Sequence, residues 1–369
     1  MNLDKQQLLL LNCSLKSRED TLANWNQWKS EYSLETAKEY QTKRMLPAVY
    51  SAIAGIEENI DLLRKLEELS KRVFAKNQLI LSELEAVIKK FNENKIPSIV
   101  LKGAALMLLD PHIAETRVMR DYDLLVPEDK IESALAILKD ELGYVLYSKA
   151  NHAYTLKNSQ DLMIDLHHRL FDYSPIDESD IWDRAIDVVI NTTNVKVLDL
   201  TDQLFHVCLH ARSLVNISLY WVHDAVAICR IANDQIDWLQ FMDVVCKRDM
   251  RNHVVKYLQI LADNKFINIP DLVFERLAPR HYARIEKLEE WEYSYPVHHP
   301  LRVLLSRITP YLRIKADKRY AMPIVGYYRF LKDAFKINSG TALFIFLVYK
   351  SLKIPIRWVC KRGHLKTIR

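Results

Sequence analysis

Apolar positions in the first part of the chain recur at the spacing of a helix face. The segment IEENIDLLRKLEELSKRVF (residues 56–74) places isoleucines, leucines and valine three and four residues apart, with charged residues between them. The same stripe continues to Phe91, after which Asn94 and Pro97 end the helix. The pattern therefore predicts helices from the N-terminus to about residue 92.

Short apolar runs typical of β-strands follow this helical part. The first is SIVL (98–101), which leads through Lys-Gly into the helix-like AALMLL. The second is YDLLV (122–126), closed by Pro127, and an amphipathic helix with apolar positions from Ile131 to Leu142 comes next. Three further β-like runs are predicted over 144–148, 153–157 and 161–166, and beyond about residue 175 the pattern is helical except near 195–198.

This order of elements predicts an α+β fold, with a small mixed β-sheet core embedded in a mainly helical protein. The six glycines in 369 residues leave few tight turns, which agrees with a high helix content. We expect four regions: a helical N-terminal region (1–80), the sheet-containing core (81–175), a helical domain (176–300) and a basic C-terminal helical segment (301–369).

Charge is distributed unevenly along the chain. Residues 301–369 hold sixteen Lys and Arg against two acids, a local charge of +14, although the whole chain carries only +5. A concentration of positive charge of this kind indicates a polyanionic partner, either an anionic membrane surface or a nucleic acid. Aromatic residues such as Trp358 lie among these cations, and that mixture suits a membrane interface as well as single-stranded nucleic acid. Packing of the apolar groups on the helical domain is the third alternative.

The sequence also indicates a compartment. The five cysteines are scattered, with no C-x-x-C pair, which favours a reducing environment. The N-terminus lacks the pattern of a signal peptide, and no apolar stretch reaches the 18 residues that a membrane span needs. We expect a cytoplasmic protein that contacts the inner face of the membrane peripherally if the basic segment binds lipid.

Candidate chemistry begins with three carboxylates. Asp121 and Asp123 are two residues apart in a predicted strand, so their side chains point to the same face of the sheet. Asp165 lies near the end of another predicted strand, MIDLH. Two close carboxylates repel each other unless a hard cation lies between them, and Mg²⁺ takes carboxylate and phosphate oxygens as ligands. Asp-x-Asp alone is also common at strand edges without any metal.

A phosphate-binding element precedes the carboxylates. Lys102-Gly103 ends one predicted strand and opens a helix, where a glycine lets the backbone approach a phosphate and free N–H groups face it. Arg117 offers a planar guanidinium for phosphate oxygens. The alternative for Lys102 and Arg117 is a solvated position at a strand end or in a loop.

Three motifs together resemble a known family. IVLKGAAL, the R-x-x-R-D-Y-D-L-L-V run and I-D-L-H-x-R resemble the nucleotidyltransferase family 5 group of the polymerase-beta-like superfamily. The resemblance is densest over residues 96–170. Gly103-Ala104 takes the place of the superfamily's Gly-Ser pair and Arg120 replaces the usual glycine before the first acid, so the phosphate contacts are the part that departs most.

The resemblance implies a reaction and its participants. The chain would move a nucleoside monophosphate from an NTP such as ATP to an unidentified acceptor, with Asp121, Asp123 and Asp165 as catalytic metal ligands for Mg²⁺ (two ions). Lys102, Gly103 and Arg117 would bind the nucleotide. Two alternatives stay open: a phosphotransferase with the same metal site, and a non-catalytic protein that binds nucleotides or polyanions.

Further polar residues are candidates for lining the acceptor pocket, namely His167, Arg169, His210 and Asp224. His206 and His210 lie one helical turn apart, a spacing that can bind zinc, but H-E-x-x-H is absent and no third ligand is evident. A packed pair of helical histidines is the alternative.

Overall fold

The structure is a computed structural model that describes residues 4–34, 40–150, 152–170, 178–211, 219–233, 235–295, 300–314, 321–335, 337 and 339–345. Helices dominate it. They are α1 (Lys5–Leu15), α2 (Arg18–Glu31), α3 (Tyr40–Ile53), α4 (Ile60–Glu93), α5 (Lys102–Leu109), α6 (Ile113–Thr116), α7 (Ile131–Ala136), α8 (Ser179–Arg184), α9 (Leu200–His210), α10 (Tyr220–Ile231), α11 (Trp238–Lys247), α12 (Arg251–Asp263), α13 (Asp271–Arg276), α14 (Arg284–Ser294), α15 (Pro300–Ile314) and α16 (Pro323–Phe335).

Seven strands form one mixed sheet. They are β1 (Ile99–Leu101), β2 (Asp121–Leu125), β3 (Val145–Lys149), β4 (Ala153–Lys157), β5 (Met163–His167), β6 (Ile186–Ile190) and β7 (Thr193–Val197), in the spatial order β3-β4-β5-β2-β1-β7-β6. The pairs β2–β5 and β1–β7 are parallel and the others are antiparallel. The predicted α+β fold is confirmed: a mixed sheet lies within a mainly helical protein.

Strand β6 was missed by the sequence pattern. The run near 195–198 belongs to a hairpin in which β7 pairs with β6, and Ile190 faces Thr193 across a two-residue turn. Asn191 adopts φ of 50° there, in the left-handed region that asparagine tolerates and that such turns require. Strand β6 is at the sheet edge and mostly exposed, so its residues do not alternate between apolar and polar.

The residues group into two compact units. One unit comprises the described residues up to 170, together with 178–244 and 256–271, and it contains the whole sheet. The other comprises 245–255 and the described residues from 272 onwards. The four-region division made from the sequence stays a prediction.

Helix α4 organises the first unit. It runs for 34 residues without glycine or proline and buries an apolar stripe that ends at Phe91. Asn77 interrupts this stripe, is fully buried, and donates its side-chain amide to the carbonyls of Ala114 (2.8 Å) and Arg117 (2.7 Å). The polar position within the apolar face therefore fixes the segment that precedes strand β2.

The second unit is held together by buried charges. Arg313 donates to both carboxylate oxygens of Glu289 at 2.6 Å, and Glu289 is 1% exposed. The Arg313 guanidinium and the contact with His253 hold the pKa of Glu289 well below its usual range, although burial alone would raise it. A buried carboxylate needs this pairing, because an unpaired charge inside the protein is strongly unfavourable.

Among the helices of the described residues, none is long and apolar enough to cross a membrane.

Candidate active site

Strand register brings the predicted carboxylates together. Strands β2 and β5 run parallel, with Asp123 directly beside Asp165. Asp121 is two residues before Asp123 on the same strand, so all three carboxylates lie on one face of the sheet. Two chain segments more than 40 residues apart thus contribute to a single acidic cluster.

Asp123 is the most deeply held of the three. Its side chain is buried, and Oδ1 accepts hydrogen bonds from Lys102 Nζ at 2.5 Å and shares a contact of 3.0 Å with His167 Nε2. Burial alone would raise the pKa of Asp123, but the Lys102 ammonium and His167 hold it well below its usual range. Asp123 is therefore a carboxylate at neutral pH.

Lys102 reaches Asp123 because of an unusual backbone conformation. It has φ of 53°, in the left-handed region that is costly for a lysine, at the point where β1 ends and α5 begins. The residue is half-buried, and its pKa is raised: burial lowers it, but the nearby Asp123 carboxylate outweighs that effect. The turn thus holds a charged amine over the carboxylates.

Asp165 and His167 complete a group that fits a metal ion. Asp123, Asp165 and His167 each present one ligand atom, and these atoms lie within 4.8 Å of one another. Asp165 Oδ1 is buried and has no hydrogen-bond partner in the described part of the chain. A buried carboxylate oxygen without a donor is unfavourable, and a bound cation would satisfy it. Two carboxylates and an imidazole are a donor set that divalent cations accept.

His167 was predicted as a pocket residue and not as a metal ligand. The signal was present in the sequence, because Asp165 and His167 are two residues apart on β5 and so share a face. An imidazole ligand is more usual for transition metals than for Mg²⁺, which prefers oxygen.

Asp121 responds to the same crowding. Burial and the charges of Asp123 and Asp165 raise its pKa to about 6, while Lys102 and Arg117 oppose the shift. Like charges held close together make ionisation harder, so an additional positive charge at the cluster would stabilise the three ionised carboxylates.

Arg117 is fixed in place by Asp224. Its Nε and Nη2 donate to the two carboxylate oxygens of Asp224 at 2.7 and 2.8 Å, a bidentate ion pair between the segment before β2 and helix α10. A Cβ atom built on Gly103 would overlap the Arg117 guanidinium. The absence of a side chain at Gly103 therefore makes room for the Arg117 guanidinium. This packing role is independent of the predicted role of Gly103 in binding phosphate.

Arg169 and two histidines are further residues predicted from the sequence. Arg169 Nη2 donates to Glu128 Oε2 at 3.1 Å. The charge of the Lys102 ammonium, followed by burial, lowers the pKa of His210 to about 3. His206, one turn earlier, is buried, and burial followed by Lys102 lowers its pKa. Among the described residues, neither His206 nor His210 belongs to the group Asp123, Asp165 and His167 that could hold a metal ion.

Comparison with known proteins identifies a family. Residues 35–264, more than half of the chain, match the family described as an uncharacterised nucleotidyltransferase. No curated protein matches the sequence.

Solved structures show only remote likeness. The antibiotic-resistance factor ANT(2'')-Ia aligns with 12% identity and a TM-score of 0.34, over 42% of this chain and 84% of its own. The lincosamide antibiotic adenylyltransferase LnuA aligns with 17% identity and a TM-score of 0.32, over 41% and 96%. An antigenic nucleotidyltransferase-like protein from Paracoccidioides brasiliensis aligns with 19% identity and a TM-score of 0.32, over 53% and 96%. Likeness at this level carries no argument about substrates.

Proposed function

The chain belongs to this family of nucleotidyltransferases, and we propose that it transfers a nucleoside monophosphate from ATP or another NTP to an acceptor hydroxyl. In this step the acceptor oxygen forms a bond to the α-phosphorus, and the bond from that phosphorus to the oxygen bridging the β-phosphate breaks. Pyrophosphate leaves, and the hydroxyl proton passes to the carboxylate cluster. The observation that supports the proposal most directly is the side-by-side register of Asp123 and Asp165, with Asp165 Oδ1 buried and without a hydrogen-bond donor.

The carboxylates would hold the metal. We assign Asp121, Asp123 and Asp165 as ligands of two Mg²⁺ ions, and we assign His167, whose Nε2 contacts Asp123 Oδ1 at 3.0 Å, to orienting that carboxylate. When bound, Mg²⁺ neutralises charge on the triphosphate and lowers the pKa of the acceptor hydroxyl. The raised pKa of Asp121 supports this assignment, since a cation would relieve the repulsion that causes it.

The cationic residues would receive the triphosphate. Lys102 carries a charged amine at the start of α5 and is able to exchange its contact with Asp123 for a phosphate oxygen. Gly103 leaves the backbone at this turn uncovered by a side chain of its own, and Arg117 adds a fixed positive charge beside it. Catalysis of this type depends mainly on positioning and on neutralising charge in the transition state.

The acceptor side is proposed from the remaining candidates. We assign His210 and Asp224 to it, since the Lys102 ammonium acts on the pKa of His210 and Asp224 holds Arg117. Arg169 is the weakest of the candidates, since its guanidinium pairs with Glu128.

Two labels on ATP separate nucleotidyl transfer from the alternatives. With Mg²⁺ and a cell extract as the acceptor source, we expect a label on the α-phosphate to enter a product, while a label on the γ-phosphate leaves as pyrophosphate. A phosphotransferase would give the opposite pattern, and a non-catalytic binding protein would give neither. Asp165→Asn should abolish transfer, whereas Asp187→Asn, an exposed carboxylate of β6, is the matched control and should not change it.

The basic segment 301–369 is proposed to contact an anionic membrane. In its described part, Ile324 of α16 is 85% exposed and Phe344 is 69% exposed, which leaves apolar side chains in water. Interfacial helices combine such groups with cations, and each basic residue near an anionic leaflet contributes about 1 kcal/mol. The cations and tryptophan singled out in the sequence lie outside the described residues: Lys350, Lys353, Arg357, Trp358, Lys361 and Arg362.

Vesicle flotation tests this contact. The full chain should float with vesicles that contain phosphatidylserine at low salt, and Ile324→Ser should weaken flotation. Leu239→Ser removes another exposed apolar side chain, a leucine of α11 that is 64% exposed, and should have no effect. Failure to bind vesicles combined with a shift of a single-stranded RNA or DNA probe would contradict the membrane proposal and favour a nucleic-acid partner. Binding to the membrane would also support a cytoplasmic protein peripheral to its inner face.

A further inference from the structure

A cavity of about 310 Å³ lies within the unit that carries the carboxylates. It opens to solvent and is lined by the end of α1, helix α3, the segment 110–117 and α10. Asp121, Asp123 and Asp165 are not among its lining residues. The cavity is thus separate from the metal site described above.

The Arg117–Asp224 ion pair links the cavity to the residues around the carboxylates. Both residues line the cavity. The Arg117 guanidinium also lies against Gly103, and the neighbouring Lys102 reaches Asp123. A molecule bound beside Arg117 would therefore lie next to residues that contact the carboxylate cluster, and the two hydrogen bonds of the ion pair hold Arg117 in that place.

The lining has the chemistry to bind hydroxyl groups. It includes the polar residues Ser14, Ser51, Glu115, His223 and Arg230. Ser14 Oγ and His223 Nε2 form a hydrogen bond of 2.9 Å, and Arg230 Nη2 donates to the carbonyl of Leu15 at 2.7 Å, so these side chains are held in place at the lining. Hydroxyl groups both donate and accept hydrogen bonds, and they match a wall that contains both types of partner.

The volume restricts the size of the ligand. Pockets for small molecules typically measure roughly 300–1,000 Å³, and this cavity is at the lower limit. It has room for one compact molecule and not for a protein segment or a folded nucleic acid.

We propose that this cavity binds the acceptor, a small hydroxylated molecule that enters beside the Arg117–Asp224 pair. The inference rests on the proposed function, in which an acceptor hydroxyl attacks the α-phosphorus of an NTP. The hydroxyl oxygen forms the new bond to phosphorus, its proton passes to the carboxylate cluster, and pyrophosphate leaves. Asp224 is a positioning residue in this arrangement, because it holds Arg117, the residue proposed to receive the triphosphate, beside the bound acceptor.

Two alanine-to-leucine substitutions on α10 and at its C-terminal end test the cavity. Ala227 lines it, so Ala227→Leu would fill part of the space. Ala232, at the C-terminal end of the same helix, is outside the lining, and Ala232→Leu is the matched control. Both variants of the full chain are compared with the wild type after their folding has been verified by circular dichroism.

The first measurement is native mass spectrometry with the low-molecular-mass filtrate of a cell extract and no nucleotide. The wild type and Ala232→Leu should retain a small molecule that Ala227→Leu loses. The second is transfer of α-labelled ATP into the filtrate, which should fall by at least about tenfold in Ala227→Leu, since misplacement of an acceptor by about 1 Å costs that much or more. The affinity of Ala227→Leu for ATP with Mg²⁺, measured calorimetrically, should equal that of the wild type.

The outcomes distinguish the cavity proposal from the function on which it rests. No retained small molecule, equal retention by Ala227→Leu, or label that enters only macromolecules would overturn the cavity proposal. A loss of ATP affinity in Ala227→Leu would also overturn it, because the cavity would then belong to the nucleotide. Retention by the wild type without any transfer of label would overturn the proposed function and leave a small-molecule site.

Discussion

The guanidinium of Arg117 occupies the space that any side chain at Gly103 would need. Gly103 is buried at the start of α5, next to the lysine that contacts Asp123. Glycine at this position thus allows an arginine from another segment to lie against the backbone, and the ion pair with Asp224 holds it there. Lys102, Gly103 and Arg117 thus pack together as one group.

Gly103→Ala should destabilise the protein and displace Arg117. Overpacking of a tight site typically costs about 1–3 kcal/mol. The free energy of unfolding in urea measures the cost, and Gly55→Ala is the control, because no atom lies within 4 Å of a Cβ built at that position. In an Arg117→Ala background the cost of Gly103→Ala should largely disappear. Equal costs in both backgrounds would show that Arg117 does not fill this space.

Asn77→Ala should lower stability by about 2–3 kcal/mol, because two carbonyls lose their donor. Those of Ala114 and Arg117 are hydrogen-bonded to the buried amide of Asn77. Denaturant unfolding measures the loss. Asn92→Ala is the control, since its amide makes one exposed bond to Asn194 and its removal should cost much less. Similar losses in the two variants would mean that the buried position of Asn77 gives it no special role.

Asp121→Asn should abolish transfer without loss of stability. Burial and the charges of Asp123 and Asp165 raise the pKa of Asp121 to about 6, so the folded state binds more protons than the unfolded state between about pH 4 and 6. The contribution of Asp121 to stability is therefore lost as the pH rises through that window. The uncharged side-chain amide of Asp121→Asn removes this loss. The melting temperature at pH 8 without metal should therefore be equal or higher in the variant, and Mg²⁺ should raise it less than in the wild type. A lower melting temperature without metal would contradict the repulsion.

The contribution of His223 to stability should rise between pH 4 and 6.5, opposite in sign to the contribution of Asp121. Burial, assisted by Arg230 and Arg117, lowers the pKa of His223 to about 4 from 6.5, although Asp224 opposes the shift. The unfolded state then binds more protons in this window, so folding becomes more favourable as the pH rises. The contribution of His223 is at most about 3 kcal/mol at one pKa unit per 1.36 kcal/mol. The free energy of unfolding, measured with urea at several pH values, should gain less with rising pH in His223→Gln than in the wild type. The same pH dependence in both proteins would contradict the prediction.

The sequence predicts those parts of the site that depend on local periodicity. Asp121 and Asp123 share a face because a strand repeats every two residues, and the same rule applies to Asp165 and His167. The pairing of β2 with β5 was not derivable from this rule, since register depends on the whole sheet. The family resemblance supplied that relation instead, by assigning the carboxylates to one site.

Contacts between distant segments were beyond the reach of the pattern. The partner of Arg117 is Asp224, and nothing in the spacing of either residue indicates the other. The buried Asn77 interrupts a helical stripe, and only the structure shows that it holds two carbonyls of the segment before β2. The edge strand β6 was missed because exposed residues on both faces remove the alternation by which strands are recognised.

The separation of 107 positions along the chain between Arg117 and Asp224 has a consequence for how the protein folds. A pairing across so long a loop forms late, because the chain must lose the entropy of closing that loop before the contact contributes stability. During synthesis, a chain that ends before α10 has all three carboxylates but no partner for Arg117. The proposed acceptor site would then form only after residue 224 has left the ribosome, well after the strands that carry the three carboxylates are complete.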